Sequence, residues 1–462
     1  MTPSATLNHS VHDHDRELLA KYDGRAPRYT SYPTAAQFSA AVGPEVYAGW
    51  LSDLSTRDAI SLYAHIPFCQ RLCWFCGCNT RVVRKADLIS RYVQRLGEEL
   101  AMLERAVPGR IPVAAIHLGG GSPNLLSPED MAALFLDIRR VFAVQPEAEI
   151  SVEADPVFLS ARWVRAAAEH GVTRVSLGVQ DLDPMVQRAV NRAESYDQVA
   201  QAVGWLRAAG IPSINLDLMY GLPHQTVRGV RATLDRILQL RPDRIALFGY
   251  AHVPWMKPHQ SLIRAEDLPS AAERLDQASA AADTLVAAGY ERVGLDHFAR
   301  ADDPLARARH SRRLHRNFQG YTTDTSPTLI AIGASGIGRL PQGYVQNQTT
   351  EIAWLAALDR GELPVARGVA LTDEDRFRAD IIESLMCHMG VDLAAACARH
   401  DWPGSALSGE QEAMREFERD GLITRSGDIV HVTERGRPFV RALCAVFDTY
   451  LTGSPARHSH VV

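Results

Sequence analysis

Between residues 62 and 250 the chain alternates short apolar runs with longer stretches in which apolar residues return every three or four positions. The short runs, 62–66, 114–118, 149–154, 174–179, 214–219 and 244–248, are mostly rich in Ile, Val and Leu. They are too brief for helices and are predicted as buried strands. Residues 88–105, 128–142, 159–170, 196–209 and 227–240 carry the helical period and are predicted as helices. Repeated β-α units imply an α/β fold with a parallel sheet and right-handed crossovers. Six units make either an open doubly wound sheet or a partial barrel, and the pattern alone does not choose.

Outside this region the pattern changes. Residues 1–15 read as disordered, with His12 and His14 in that tail, and DGRAPRYTSYPTA (residues 23–35) reads as loop. The predicted divisions are an N-terminal extension (1–55), the β/α region (56–290), a segment that completes it (291–370) and a C-terminal domain (371–462). Around the second boundary lie a helix (271–288), a strand-like run (292–298) and the small-residue turns of GASGIG (333–338). The C-terminal domain is predicted as helices 373–389, 391–400 and 410–420, then a hairpin over 422–432 turning at Ser426-Gly427-Asp428. A last helix spans 435–451, and His458 and His460 read as unstructured tail. Helices followed by a hairpin resemble a winged-helix module. The absence of a basic recognition helix favours a lid or packing role over DNA binding.

Composition narrows the class. The chain has 462 residues, 46% of them hydrophobic, and a formal net charge of −5, which gives no reason to expect nucleic acid or an anionic membrane as a partner. No stretch approaches the roughly 20 apolar residues that cross a bilayer. The N-terminus lacks the basic and apolar regions of a signal peptide. Seven cysteines, four of them between Cys69 and Cys78, argue against a disulfide framework and for a reducing, cytoplasmic compartment. Cys387, Cys397 and Cys444 read as small buried apolar residues.

The chemistry concentrates at Cys69, Cys73 and Cys76. Such spacing could form a helical stripe, a zinc site or a disulfide pair. Pro67 before the group and Gly77 after it mark a loop, against the stripe. A zinc site would want a fourth ligand, for which Cys78 is the candidate. Three thiolates can also hold three irons of a four-iron cluster and leave the fourth open to a small molecule. Further polar groups end the successive strands: Gly119-Gly120-Gly121, Glu153, Gln180 and Asp217. In a β/α barrel those ends form the active-site face. Glycines there let backbone approach a ligand closely, or simply make a turn. Glu153 and Asp217 suit ribose hydroxyls, or cap helices.

The run LYAHIPFCQRLCWFCGCN (residues 62–79), with its Cys-x3-Cys-x2-Cys spacing, resembles the radical S-adenosylmethionine enzymes. The Cys-Gly-Cys-Asn ending, GGGSP (119–123) and RYTSYP (28–33) narrow the resemblance to the oxygen-independent coproporphyrinogen III dehydrogenases of haem synthesis, over most of the chain from Arg28 to Leu451. The resemblance implies a (β/α)6 partial barrel and a [4Fe-4S] cluster on Cys69, Cys73 and Cys76, with Cys78 left out. It implies one or two molecules of S-adenosylmethionine, contacted by Gly120, Gly121, Ser122, Glu153, Gln180, Arg192 and Asp217. Tyr63, Phe75, Ala251 and Ile337 match further contacts, for which core packing is an equal explanation. Ser122 stands where the family usually has threonine, and either hydroxyl makes the same bond.

The implied reaction starts when an electron from a cytoplasmic donor cleaves S-adenosylmethionine. The resulting 5′-deoxyadenosyl radical takes a hydrogen from a propionate β-carbon. Loss of carbon dioxide and of an electron to an unidentified acceptor then leaves a vinyl group. Two propionates of coproporphyrinogen III react in turn, on a monomeric enzyme. Four propionates call for cations, arginine above all: the candidates are Arg25, Arg28, His297, Arg300, His315 and Arg316. The N-terminal loop and C-terminal domain are expected to cap the site. The alternatives are a haem-binding chaperone relative, which usually has an aromatic where this chain has Cys78, and another radical enzyme acting on a porphyrin.

Overall fold

The computed structural model describes residues 16–451 and 458–461, so the readings on His12, His14 and the remaining first residues lie outside the described part. All six predicted strands form. They are β1 (Ile60–Ile66), β2 (Pro112–Gly120), β3 (Ala143–Ala154), β4 (Arg174–Gln180), β5 (Ser213–Tyr220) and β6 (Arg244–Gly249). The connecting helices are α1 (Ala86–Ala106), α2 (Pro128–Val141), α3 (Ala161–Glu169), α4 (Tyr196–Ala208) and α5 (Val227–Gln239), close to their predicted limits. Four of the five begin on a residue whose side chain accepts a backbone N–H of the first turn: Ser127, Ser160, Ser195 and Thr226. These caps satisfy donors that the helix cannot, which fixes where each crossover starts.

Six more strands extend the sheet: β7 (Tyr290–Val293), β8 (His297–Arg300), β9 (Leu329–Ile332), β10 (Ile337–Leu340), β11 (Gly343–Asn347) and β12 (Val365–Ala370). The order is β12-β11-β10-β9-β1-β2-β3-β4-β5-β6-β8-β7. Strands β9 and β1 to β6 run parallel, and the outer ones pair antiparallel. The segment after residue 290 therefore adds strands to both edges of the β/α region. The sheet is curled: residues of β1 to β6, β8 and β9 line one interior cavity, which a flat sheet would not allow. The partial barrel is thus the right member of the pair that periodicity left open.

Alternation decides what faces each way. On β5, Ile214, Leu216 and Leu218 pack outward into the main core under the helices, while Asn215 and Asp217 face the polar interior. A second core joins the N-terminal segment to the C-terminal region: Leu18, Leu19, Tyr22, Tyr29 and Tyr32 are buried with Phe377, Ile381, Met414, Phe439 and Phe447. The N-terminal segment thus divides, because Tyr47 and Leu51 pack into the main core instead.

The C-terminal region holds helices Asp373–His388, Leu393–Arg399 and Ser408–Arg419 and a three-stranded antiparallel sheet. The hairpin forms as predicted, Ile423–Ser426 with Ile429–Val432, and Gly390–Asp392 adds the third strand. The last predicted helix is much shorter, a 3-10 turn at Arg437–Phe439 and then Val440–Ala445. The Asp448 carboxylate accepts the Tyr450 N–H at 2.9 Å, a local bond that competes with helical continuation. The C-terminal tail is also not free. Arg25 and His460 form an antiparallel bridge, and Val461 is buried in the second core. Cys387, Cys397 and Cys444 are buried, as expected.

Candidate functional site: the cysteine cavity

The cysteine loop leaves the top of β1. Phe68–Cys69 pairs in parallel with Arg81–Val82, which pinches the loop at its base. The rest is tied to neighbouring elements. The Trp74 N–H donates to the Val190 carbonyl at 3.0 Å, and Asn191 Nδ2 donates to the Leu72 carbonyl at 2.8 Å. Gln260 Nε2 donates to the Phe75 carbonyl and the His259 ring bonds the Cys76 carbonyl, each at 2.8 Å. Lys257 reaches the Cys78 carbonyl at 3.1 Å. A segment with little secondary structure is thus fixed by its backbone carbonyls.

Cys69, Cys73, Cys76 and Cys78 line one cavity of about 240 Å3 with Gly120, Gly121, Ser122, Glu153, Gln180, Arg192 and Asp217. Most of the residues expected from separate strand ends therefore meet. Among the described residues no three His, Cys, Asp or Glu side chains close on a single metal ion. The thiols ring the cavity instead, and a sulfide-bridged cluster reaching across the space fits that donor set. Burial pushes the Cys69 thiol up to about 11 and also raises Cys73, although Arg192 sits 3.4 Å from the Cys73 sulfur. Cys76 goes the other way, lowered to about 6 by hydrogen bonds from the Cys78 side chain and backbone, with His259 and Lys257 nearby. Cys78 is held well above its ordinary value by the same pairing.

The glycine run is required by the protein itself. A Cβ on Gly121 would lie 2.4 Å from the Phe68 carbonyl oxygen, and one on Gly120 would lie 2.5 Å from the His65 ring. Gly120 also has φ +109°, open to glycine. Its N–H donates to the Glu153 carboxylate at 3.0 Å. Burial works to raise the Glu153 carboxyl, but the His117 ring and this N–H hold it below its ordinary value. Asp217 behaves differently: burial raises it, against hydrogen bonds of 2.8 Å from Ser176 and 2.7 Å from Asn215. Gln180 ends β4 with φ +70°, a strained conformation that turns its side chain to the cavity rim.

A charge cluster under the loop went unseen in the sequence. Arg71 bonds Asp155 at 3.0 Å and lies 3.4 Å from Glu194; Arg192 lies 3.4 Å from Asp155 and 3.3 Å from Glu194. Burial raises Glu194 to about 8 despite both arginines. The available signal was the Asp-Pro and Arg-x-Glu spacing that follows β3 and β4.

Other expectations separate. Phe75 lines the cysteine cavity and also packs on the small core around Tyr250. Tyr63 is buried in the barrel wall, its ring stacked 5.7 Å from His117. Ile337 lies on β10 outside the cavity lining, and Ala251 lines a neighbouring cavity. Of the cations expected for substrate, Arg28 and Arg316 line that same neighbouring cavity. His297 faces the barrel interior, His315 bonds Glu383 at 3.1 Å, and Arg25 lies over the Trp255 ring. Arg300 is carried to the opposite end of the sheet, paired with Asp302 on the surface, because β8 runs antiparallel to β6.

The curled parallel sheet and the three-cysteine loop above β1 define a radical S-adenosylmethionine protein, and the Radical SAM superfamily profile matches residues 63–237. The HemN C-terminal domain profile matches residues 371–439. The oxygen-independent coproporphyrinogen III oxidase of Bradyrhizobium diazoefficiens is 48% identical, over 96% of this chain and 99% of its own. The enzyme of that name from Cereibacter sphaeroides is 42% identical, over 96% and 98%. The solved Escherichia coli coproporphyrinogen III oxidase, described as a radical SAM enzyme, superposes with a TM-score of 0.89 at 36% identity, covering 94% of this chain and 98% of that one. The chain belongs to the oxygen-independent coproporphyrinogen III oxidase family, whose members work with a [4Fe-4S] cluster and S-adenosylmethionine.

Proposed function

We propose that the chain converts two propionates of coproporphyrinogen III to vinyl groups without oxygen, giving protoporphyrinogen IX. The supporting observation is the single cavity in which three thiols, a glycine turn and two strand-end carboxylates meet. Cys69, Cys73 and Cys76 would hold the cluster. Gly120, Gly121, Ser122, Gln180 and Arg192 would hold the amino-acid end of S-adenosylmethionine, and Glu153 and Asp217 the ribose hydroxyls. Tyr63, Phe75, Ala251 and Ile337 complete the proposed surroundings.

When bound, these groups supply a 5′-deoxyadenosyl radical that takes a hydrogen from the propionate β-carbon; carbon dioxide and one electron then leave. The protein's part is position and dryness, because a primary radical attacks any nearby C–H bond. His117 and the Gly120 N–H keep Glu153 ionised as an acceptor. Ser176 and Asn215 fix Asp217 beside it. The reading includes a cytoplasmic location, a one-electron donor, a separate terminal acceptor and a monomeric enzyme. Among the described residues no helix is long and apolar enough to cross a membrane.

Anaerobic reconstitution with S-adenosylmethionine, a reductant and coproporphyrinogen III tests the reading by mass. Protoporphyrinogen IX, with two carbon dioxide molecules lost, is expected, and Cys73→Ser abolishes it. Cofactor cleavage with the tetrapyrrole left intact would move the substrate elsewhere.

A further inference from the structure

A second cavity, of about 140 Å3, lies outside the barrel wall. On β6 its lining takes Leu247 and Gly249, the face opposite to Phe248, which points into the barrel interior. The far side comes from the helix Ala271–Ala287, the N-terminal loop, the Arg437–Ala445 stretch and the residues 459–461. Six arginines line it, against one carboxylate, Asp296. Two of the six are engaged elsewhere: Arg292 and Arg437 share the Glu434 carboxylate at 3.1 and 2.5 Å. Arg441 donates to backbone carbonyls of the N-terminal loop and the tail, including Pro27 at 2.9 Å and His460 at 2.8 Å.

That leaves Arg28, Arg274 and Arg316 facing the space. Arg28 donates to the Gly249 carbonyl at 3.0 Å. The Arg316 side chain is only 7% exposed and its Nε and Nη1 find no hydrogen bond; Asp296 is 3.9 Å away and already bonded to His297 at 2.7 Å. The Nε of Arg274 is likewise buried without a partner. Burial with Arg28 and Arg316 as neighbours brings Arg441 down to about 9, whereas Arg316 itself is raised, with the Tyr321 ring 4.6 Å away and Asp296 near. Buried guanidinium donors left open among like charges are a high-energy arrangement unless an anion completes them.

We propose that this cavity binds a multiply charged oxyanion, paired carboxylates or a phosphate group, through Arg28, Arg274 and Arg316. The guanidinium groups match the oxygens of charged arms or of a small ion. Two sources share this chemistry: propionate arms of the proposed substrate, which rests on the reading above, and free phosphate, which does not.

Thermal unfolding of the reconstituted full chain is measured with inorganic phosphate or coproporphyrin III, the stable oxidised form carrying the same four propionates. Porphyrin affinity is read separately by fluorescence. The wild type gains a few degrees with at least one of the two ligands. Arg316→Gln loses most of that ligand-induced gain. Porphyrin affinity about tenfold weaker in Arg316→Gln assigns the propionate arms. Stabilisation by phosphate with porphyrin binding unaffected assigns the free ion. A wild type indifferent to both ligands, or Arg316→Gln keeping the full ligand-induced gain, overturns the proposal. Failure of the wild type to cleave S-adenosylmethionine would count against the proposed reaction and leave this site standing.

Discussion

Single side chains set the local chemistry by their neighbours more than by their type. Glu153 and Asp217 both face the cavity, yet one is held ionised by a ring and an N–H while burial lifts the other. Glu153→Gln keeps the shape and removes the charge. Equilibrium binding of S-adenosylmethionine is expected to weaken about tenfold, near 1.4 kcal/mol; unchanged binding would take Glu153 out of the site. Far from the cavity, Glu99 is buried and accepts from the Gly333 N–H, Asn347 and the Trp354 ring at 2.7 to 3.0 Å. Burial nevertheless raises it from 4.5 to about 7. In that window the folded chain holds a proton that the unfolded chain has released, so Glu99 makes stability fall as pH rises from about 4.5 to about 7. Urea unfolding across that range checks the sign, and a slope unchanged in Glu99→Gln would clear this residue. None of this was legible in the sequence, where Glu99 is one more charge on a helix. Its burial follows from α1 packing against the turn after β9.

At the scale of elements the periodicity was a good guide wherever local and tertiary demands agreed. The six strands and five helices appear because each apolar stripe has a layer to pack on, most within two residues of their predicted limits, while β3 starts earlier, at Ala143 instead of 149. The closing helix at 435–451 shrinks to Val440–Ala445, after which the N–H groups of Val446, Phe447 and Asp448 bond three residues back and end the α pattern, a change an apolar period does not register. Arg441 was missed although its position is telling: it shares a helical face with Arg437 and Cys444, so the stripe carries its charge inward. Gly121 shows how far a turn in the lining controls the shape of the cavity. Gly121→Ala drives a methyl into the Phe68 carbonyl beside Cys69, and bound iron per chain is expected to drop by more than half, with a stability loss of about 2 kcal/mol or more. Full iron content in a folded Gly121→Ala protein would contradict this.

Across the whole molecule, the N-terminal segment and the C-terminal region depend on one another. Tyr29 donates to Asp448 at 3.1 Å and Tyr22 to Asp420 at 2.6 Å, inside a core that both segments build. Deleting residues 1–33 is expected to leave the barrel folded and make the C-terminal region sensitive to limited proteolysis. It also uncouples cofactor cleavage from vinyl formation. A protease-resistant C-terminal region and full coupling in the shortened protein would refute the shared-core account. The sequence hinted at a cap from both ends, but pairing residues 18–32 with 377–447 needs contacts that no local pattern encodes.

That shared core also orders events during synthesis. Tyr22, Tyr29 and Tyr32 leave the ribosome early, but their partners from Phe377 to Phe447 come last, after every strand of the barrel. A nascent chain therefore passes through a stage in which every strand of the barrel has been made and its N-terminal tyrosines still lack the partners that bury them.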